Sequence, residues 1–329
     1  MRQPTALLYP FFAIVLWAGN VIVSKLAATT IHPSAITFYR LALAVGMMSI
    51  FLLRTAYRNR ALIRRHLAQL ALLGFLAMAL FQSLSYAAAD TTTATNMAIV
   101  TALIPLLTML LSLVLLRETP TMGMLAGGLL ALGGLVYLIS EGSPGNIILQ
   151  GVHRGDAYML LASTSYALYG VLLRRWNIPV KGWLSTYIQA LSALLFMAPV
   201  MLMAPAGEAA LNRTTIPLIL YAGCLASIVL PFLWIQGIKA LGPNRCSMFM
   251  NLLPVLTAVI AIILLGERLQ SYHVMGGIAS LAGILLAQTW HTRIARVTST
   301  TGPERLDNHG KQKQGPEDLV STGSVPPGK

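Results

Sequence analysis

The sequence predicts an all-α membrane protein in which ten transmembrane helices form two inverted five-helix repeats. Three observations predict this fold: a composition poor in charge, ten apolar runs of membrane-spanning length, and an internal repeat with a constant offset. The 329 residues are 56% hydrophobic and 10% charged, whereas soluble domains are about 25% charged. The polar side chains are too few to cover a soluble protein of this size, so we expect lipid as the solvent.

Ten apolar runs lie between Ala6 and Trp290, each close to the roughly 20 residues that a helix needs to cross a bilayer. Their connections are mostly short, so no soluble domain of any size is inserted between them. The predicted spans are residues 6–28, 34–53, 67–89, 95–116, 121–140, 156–173, 183–204, 216–237, 246–265 and 271–290.

Basic residues indicate the orientation, because they collect in the cytoplasmic loops of membrane proteins. With a cytoplasmic N-terminus, the outside loops hold only Arg154, Arg213 and Arg268. The inside segments before the tail then hold twelve: Arg2, Arg54, Arg58, Arg60, Arg64, Arg65, Arg117, Arg174, Arg175, Lys181, Lys239 and Arg245. We therefore expect a multi-pass inner-membrane protein with both termini in the cytoplasm. The same bias explains the net charge of +13 without a nucleic-acid partner.

An internal repeat relates the two halves of the chain at an offset of 149 residues. The segment IPLLTMLLSLVLLRE matches LPVLTAVIAIILLGE, and the matches include Pro105 with Pro254 and Glu118 with Glu267. A unit of five spans is odd, so its second copy must enter the membrane from the opposite side. Such inverted repeats, with a pseudo-two-fold axis in the membrane plane, are typical of alternating-access carriers.

The repeat divides the chain into four parts. Residues 1–140 form the first five-helix repeat, residues 141–155 a periplasmic linker, and residues 156–290 the second, inverted repeat. Residues 291–329 are polar and show no periodicity, so we expect a disordered cytoplasmic tail.

Arg40 is the clearest polar residue inside a span, because a charge that faces lipid costs roughly 2.5–3.5 kcal/mol. Three interpretations remain open: it binds a substrate carboxylate, it pairs with another helix, or it snorkels to the outer interface. Lys25 lies near the outer end of the first span, and we expect it to snorkel.

Polar and aromatic residues recur on one face of the first span. Trp17 and Asn20 are spaced three residues apart and therefore share a helical face, and the offset pairs them with Tyr166 and Tyr169. They line a substrate cavity or simply pack helices together, and we favour the cavity. Further candidates for substrate binding are Tyr86, Gln189, Trp234 and Asn251.

Pro105 and Pro254 interrupt the fourth and ninth spans at equivalent positions, and each removes a backbone hydrogen bond. We predict a hinge or cavity wall at these prolines, with an inert kink as the alternative. The glycine-rich fifth and tenth spans are expected to pack closely.

The sequence lacks the usual signatures of catalysis. Asp90 and Asp156 lie at the boundaries of spans, and Glu118 and Glu267 at helix ends as anchors, so no acidic residue is expected deep in a span. No metal pattern, phosphate loop or nucleophile set is present, and Cys224 and Cys246 form no recognisable pair. We expect no enzyme activity, no metal and no cofactor.

The apolar region resembles the EamA-type branch of the drug/metabolite transporter superfamily. The matching segments are LWAGNVIVSKLA, ITFYRLALA, and LIPLLTMLLSLVLLRE together with LLPVLTAVIAIILLGERL. The resemblance implies ten helices in two inverted repeats and a central cavity lined by the first four helices of each repeat. The segment TTTATNMA departs from the more basic, glycine-containing loop common in that family, whereas ALGPNRCS fits it better.

The expected function is export of small polar metabolites, amino acids or related compounds, by alternating access. The alternatives are an exporter of drugs or other organic compounds, a membrane-embedded enzyme, and a scaffold protein. The expected partners are a small metabolite and the lipid bilayer, and a homodimer is left open.

Overall fold

The computed structural model describes residues 4–117, 121–143, 153–180, 182–205, 207–241, 248–290 and 292. Every regular element over these residues is helical, and none of them belongs to a β-strand. The all-α fold class is therefore confirmed. Glu118, residues 144–152 of the expected linker and residues 293–329 of the expected tail lie outside the described residues.

The first repeat is built from helices that we number α1 to α5. Their bounds are Leu8–Ala27, Pro33–Arg58, Leu67–Thr91, Ala94–Leu115 and Met122–Ile139. A short helix, Arg60–Arg65, joins α2 to α3. The hydroxyls of Thr93 and Thr121 cap α4 and α5 by accepting a hydrogen bond from a backbone N–H in the first turn, which satisfies a donor that would otherwise be unpaired.

The second repeat contains α6 to α10. Their bounds are Arg154–Trp176, Gly182–Leu202, Thr215 to Leu241, Leu253–Leu265 and Ser271–Thr289. A 3-10 turn, Met248–Leu252, precedes α9. Gly266 ends α9 with a φ of 66°, a left-handed conformation that glycine adopts without steric cost.

Seven of these helices are long and apolar enough to cross a membrane: α1 to α5, α7 and α8. The other three differ in composition or length. Charged residues occupy the first and last turns of α6, α9 has 13 residues, and polar residues begin and end α10. The ten crossings expected from the sequence therefore stay a prediction for these three helices.

Contacts between the two repeats come in symmetric pairs. α1 packs against α8 as α6 packs against α3, and α1 packs against α9 as α6 packs against α4. α2 also packs against its equivalent α7, α4 against α9 and α5 against α10. A two-fold axis generates reciprocal contacts of this kind. The described parts of the repeats are therefore related by a pseudo-two-fold axis.

The crossing of α5 with α10 shows how the two repeats are oriented. Gly127 lies against Gly283, and Gly134 lies against Gly276. Residue numbers thus increase in opposite directions along two equivalent helices. An antiparallel arrangement of equivalent helices is an inverted repeat, which agrees with the orientation expected from an odd number of spans.

Glycine allows α5 and α10 to approach closely. A Cβ on Gly127 would lie 2.3 Å from the carbonyl oxygen of Gly283, which is too close for any side chain. Nearby, the Ser280 hydroxyl donates to the carbonyl oxygen of Ala131, 3.3 Å away. Small residues at a membrane helix crossing act in this way because close backbone packing replaces the hydrophobic effect.

Both repeats also share the same helical irregularities. π-helical segments occur at Phe75–Leu80 in α3 and at Tyr221–Val229 in α8, and they end at equivalent residues. α4 is interrupted at Leu103, two residues before Pro105, and the 3-10 turn ends at the equivalent Leu252. The prolines thus coincide with breaks in the α-helical hydrogen bonding, as expected from the missing N–H.

Gly127→Ala is expected to destabilise the protein by about 1–3 kcal/mol, because the added methyl group overpacks the α5–α10 crossing. Thermal unfolding of the purified protein in detergent measures the change. Gly133→Ala on the same helix is the matched control, since a Cβ there meets no atom within 4 Å and alanine favours helix over glycine. Equal unfolding temperatures for the two variants would contradict the close packing.

Candidate functional site

A cavity of about 220 Å³ lies between the two repeats. Its described walls come from α1, α2 and α3 of the first repeat and from the equivalent α6, α7 and α8 of the second. Both π-helical segments contribute, through Met78 and Ser227. The polar and aromatic side chains of the wall are Trp17, Asn20, Arg40, Phe81, Gln82, Tyr166, Tyr169, Thr186, Ser227 and Trp234.

Arg40 lies on this wall and is only 3% exposed. Its Nη1 donates to Gln82 Oε1 at 2.7 Å and to the Tyr86 hydroxyl at 3.0 Å, with a longer contact of 3.5 Å to Asn20 Oδ1. Nη2 and Nε donate to the Ser227 hydroxyl at 2.9 and 3.2 Å. The guanidinium thus joins α1, α2 and α3 of the first repeat to α8 of the second.

All of these partners of Arg40 are neutral. Among the described residues, no carboxylate lies within 4 Å of its guanidinium, and the one ion pair found there joins His153 to Asp156. A guanidinium has five N–H groups, and Nη2 bonds only to Ser227 among the described residues. Arg40 is thus buried between the helices and faces the cavity as a cation whose partners among the described residues are all neutral, an arrangement that disfavours snorkelling to the interface.

Aromatic rings form another part of the cavity wall. The rings of Trp17 and Tyr166 meet edge to face at 6.0 Å, and Tyr166 contacts Tyr169 at 5.4 Å and Phe81 at 5.0 Å. Trp17 and Tyr166 are equivalent residues of the two repeats, so they meet near the pseudo-two-fold axis. Edge-to-face pairs are a preferred arrangement of aromatic rings, and they leave ring faces available to a ligand.

Six of the predicted binding residues line the cavity: Trp17, Asn20, Arg40, Tyr166, Tyr169 and Trp234.

The other predicted residues lie outside the described wall. Tyr86 is buried behind it and acts through its bond to Arg40. Gln189 is buried and donates to a serine of its own helix, whereas Asn251 is half-buried in the 3-10 turn before α9. Pro105 and Pro254 follow the breaks described above, so a hinge role for them stays a prediction.

Gln82 and Ser227 are site residues that the sequence analysis missed. Gln82 follows the π-helical segment of α3, and Ser227 lies within that of α8. The equivalents of these two residues are Pro231 and Met78. Neither equivalent is polar, so comparison of the repeats did not point to Gln82 or Ser227. Gln82 lies four residues before Tyr86, and this helical spacing was the one available signal.

Charged side chains close the end of the bundle near the α3–α4 connection. Lys25 Nζ donates to the carbonyl oxygens of Ala89 and Thr92 at 2.6 and 2.8 Å, so its ammonium lies at the C-terminal end of α3, and snorkelling to the interface stays a prediction. Asp156 is only 1% exposed and accepts hydrogen bonds from the Thr92 hydroxyl and the Asn96 amide. An acidic side chain is therefore buried at a position that the sequence suggested was a span boundary.

Glu267 also reaches this connection, whereas we expected a simple anchor at the end of its own helix. Its carboxylate accepts from the N–H groups of Ala94 and Thr95 at 2.7 and 3.3 Å, and from the Thr95 hydroxyl at 2.9 Å. A carboxylate at this position satisfies unpaired donors at the N-terminus of α4 and interacts favourably with the helix dipole. Among the described residues, no group of three or more His, Cys, Asp or Glu side chains could hold a metal ion.

One known protein family matches both repeats of the chain. A model described as the EamA-like transporter family matches residues 4–140 and again residues 153–289. The two matched ranges coincide with the two repeats. The chain is accordingly a multi-pass membrane protein of a transporter type.

Curated relatives cover most of the chain. The "Uncharacterized transporter YyaM" of Bacillus subtilis (strain 168) is 27% identical over 259 residues, which is 78% of this chain and 84% of that protein. An "Uncharacterized transporter" of Archaeoglobus fulgidus is 28% identical over 290 residues, 87% of this chain and 98% of that protein. "Uncharacterized protein PA1977" of Pseudomonas aeruginosa is 28% identical over 286 residues, 87% and 95% respectively.

A solved structure described as "Crystal structure of protein" shares the fold. It covers 92% of this chain and 100% of its own, with a TM-score of 0.58 and 18% sequence identity. At this identity the similarity concerns the fold alone.

Tyr86→Phe is expected to lower the free energy of unfolding by about 1.5–3 kcal/mol, because Arg40 loses one acceptor and stays buried. Chemical or thermal unfolding in detergent measures the loss. Tyr158→Phe is the control, since that side chain is 41% exposed and makes none of the described hydrogen bonds. A loss no larger than that of the control would show that the Arg40 network contributes little to stability.

Proposed function

Because the chain belongs to the EamA-like transporter family, we propose that it is an inner-membrane secondary transporter that exports small polar metabolites by alternating access. Amino acids and related carboxylates are the favoured substrates. The observation that carries the proposal is the buried guanidinium of Arg40, which lines the cavity and has only neutral described partners.

Arg40 favours a substrate with a carboxylate. Burying a cation removes its hydration, and neutral hydrogen-bond acceptors recover only part of that free energy. A carboxylate in the cavity supplies the missing negative charge and accepts the remaining Nη2 N–H, in a charge-assisted hydrogen bond that is stronger than a neutral one. Asn20 and Gln82 lie beside Arg40 on the wall and offer further hydrogen bonds to a polar substrate.

Cavity size favours metabolites over drugs. The volume of about 220 Å³ is below the roughly 300–1,000 Å³ of pockets that hold drug-sized ligands. The rings of Trp17, Tyr166 and Tyr169 fit the apolar part of a small substrate, and their faces attract an ammonium group by cation–π interaction. A small amino acid or related carboxylate therefore matches this wall better than a large organic compound.

The arrangement of the repeats supports alternating access. Two inverted units can exchange conformations about their pseudo-two-fold axis, which moves the opening of a central site from one membrane face to the other. The cavity lies between the repeats, and Arg40 contacts both of them. Substrate binding at Arg40 can thus be coupled to their relative position.

Membrane topology follows from the same symmetry. α6, α9 and α10 are the equivalents of α1, α4 and α5, which are long and apolar enough to span a membrane. Equivalent helices in an inverted repeat occupy equivalent depths, so we assign ten crossings. Twelve basic residues against three in alternate loops favour cytoplasmic positions for both termini.

Arg40→Ala is expected to reduce efflux of carboxylate substrates from protein-containing liposomes by at least about tenfold, because the charge partner of the substrate is lost. The assay follows release of radiolabelled leucine, phenylalanine, alanine and their amides from loaded liposomes. Arg58→Ala, which removes an exposed arginine at the end of the same helix, should transport normally.

Size-exclusion chromatography of each variant shows whether it is folded before the rates are compared. Efflux by a folded Arg40→Ala variant at the rate of the unmodified protein would contradict a substrate contact at Arg40. Absence of efflux for a broad metabolite panel with the unmodified protein would count against the carrier function itself.

A further inference from the structure

The connection between α3 and α4 is fixed by charged side chains from three directions. We call residues Thr92–Asn96 the latch segment. Lys25 of α1 donates to the carbonyl oxygen of Thr92 at 2.8 Å, Asp156 of α6 accepts from the Thr92 hydroxyl at 2.5 Å, and Glu267 accepts from the N–H of Ala94 at 2.7 Å. No other short connection between described helices receives three charged side chains in the described hydrogen bonds.

The latch segment is buried at one end of the bundle. Thr92 is 6% exposed, and Ala94 and Thr95 are 0% and 3% exposed. Lys25 in the last turn of α1 and Asp156 in the first turn of α6 both bond to the latch segment, so this end also contains those two turns. The described lining of the cavity includes none of the residues of the latch segment.

The cavity extends toward the other end of the bundle. Met48 lines it and lies two turns beyond Arg40 toward the C-terminus of α2, while Thr186 lines it from the first turns of α7. Ile235 also lines it, in the C-terminal half of α8. These helix ends lie at the end of the bundle where α1 begins, opposite to the latch segment.

Two of the three charged contacts join the repeats to each other. Asp156 and Glu267 belong to the second repeat, whereas the latch segment belongs to the first. Any motion that opens this end must separate the two repeats here, and it must therefore break the bonds of Asp156 and Glu267. A buried carboxylate that loses its donors without gaining water is costly, so these contacts resist opening until water can enter.

The equivalent positions at the other end of the bundle lack one of the hydrogen bonds of the latch segment. The offset of 149 pairs Glu267 with Glu118 and Lys25 with Arg174, so a charge is kept at both positions. The bonded pair of Asp156 and Thr92 corresponds instead to Leu7 and Leu241. Neither leucine can supply a carboxylate or a hydroxyl, so this hydrogen bond has no counterpart.

We infer that Lys25, Asp156 and Glu267 form a latch that holds this end of the carrier closed. The bond between Thr92 and Asp156, which is present at one end alone, biases the resting protein toward the conformation whose cavity opens at the opposite end. The inference rests on the alternating access proposed above, because a latch needs two conformations to select between.

The experiment measures the accessibility of the cavity from each membrane face. Met78 lines the cavity, and Met78→Cys is made in a background with Cys224→Ser and Cys246→Ser. A membrane-impermeant maleimide is applied to right-side-out and to inverted vesicles. Without further substitution, we expect labelling mainly from the face on which the N-terminus lies.

Thr92→Val and Asp156→Asn are expected to raise labelling from the opposite face about tenfold relative to the N-terminal face, because each weakens a charge-assisted hydrogen bond that favours the closed end. Thr92→Val is the milder change and keeps the test valid if Asp156→Asn fails to fold. Thr164→Val is the matched control, since the Thr164 hydroxyl donates within α6 to Leu160 and should leave the ratio unchanged.

An unchanged labelling ratio in folded Thr92→Val and Asp156→Asn variants would overturn the latch. A shift of equal size in Thr164→Val would overturn it as well, because the effect would then not be specific to the latch contacts. Labelling needs no transported substrate, so the experiment tests the latch independently of the proposed transport function. Absence of efflux together with a shifted ratio would refute the transport function and leave the latch standing.

Discussion

A buried guanidinium that has only neutral partners among the described residues is the constraint on which the centre of this protein depends. Arg40 loses its hydration between the repeats, and Gln82, Tyr86 and Ser227 recover part of the free energy through hydrogen bonds. These acceptors belong to α3 and α8, so the hydrogen bonds of Arg40 connect both helices to α2 in this conformation. The same arrangement leaves a positive charge on the wall of a small cavity, where it can recognise an anionic group.

Features shared by the two repeats form the scaffold, whereas the proposed binding site and latch depend on residues that differ between the repeats. The α5–α10 crossing, the π-helical segments and the breaks near Pro105 and Pro254 recur in both repeats. Arg40 corresponds to Gln189, and Asp156 corresponds to Leu7. One difference puts a charge on one side of the cavity, and the other places a hydrogen bond at one end of the bundle.

The sequence predicted most of the fold because hydropathy and the offset of 149 are visible in one dimension. The offset also located Trp17 and Tyr166, which the structure brings together. It could not predict that Gln82 and Ser227 hold Arg40, since helical periodicity defines a face and not the neighbour that covers it. The burial of Asp156 was missed for the same reason: its donors come from a connection distant in sequence.

Direct observation of a bound carboxylate would show whether Arg40 recognises an anionic substrate. Crystals of the protein grown with 4-bromobenzoate, measured at the bromine absorption edge, would locate the ring by its anomalous signal and the carboxylate by its density. We expect one molecule in the cavity, with a carboxylate oxygen about 3 Å from the guanidinium of Arg40. A molecule bound with its carboxylate directed away from Arg40, or a cavity without bromine signal at saturating concentration, would contradict this expectation.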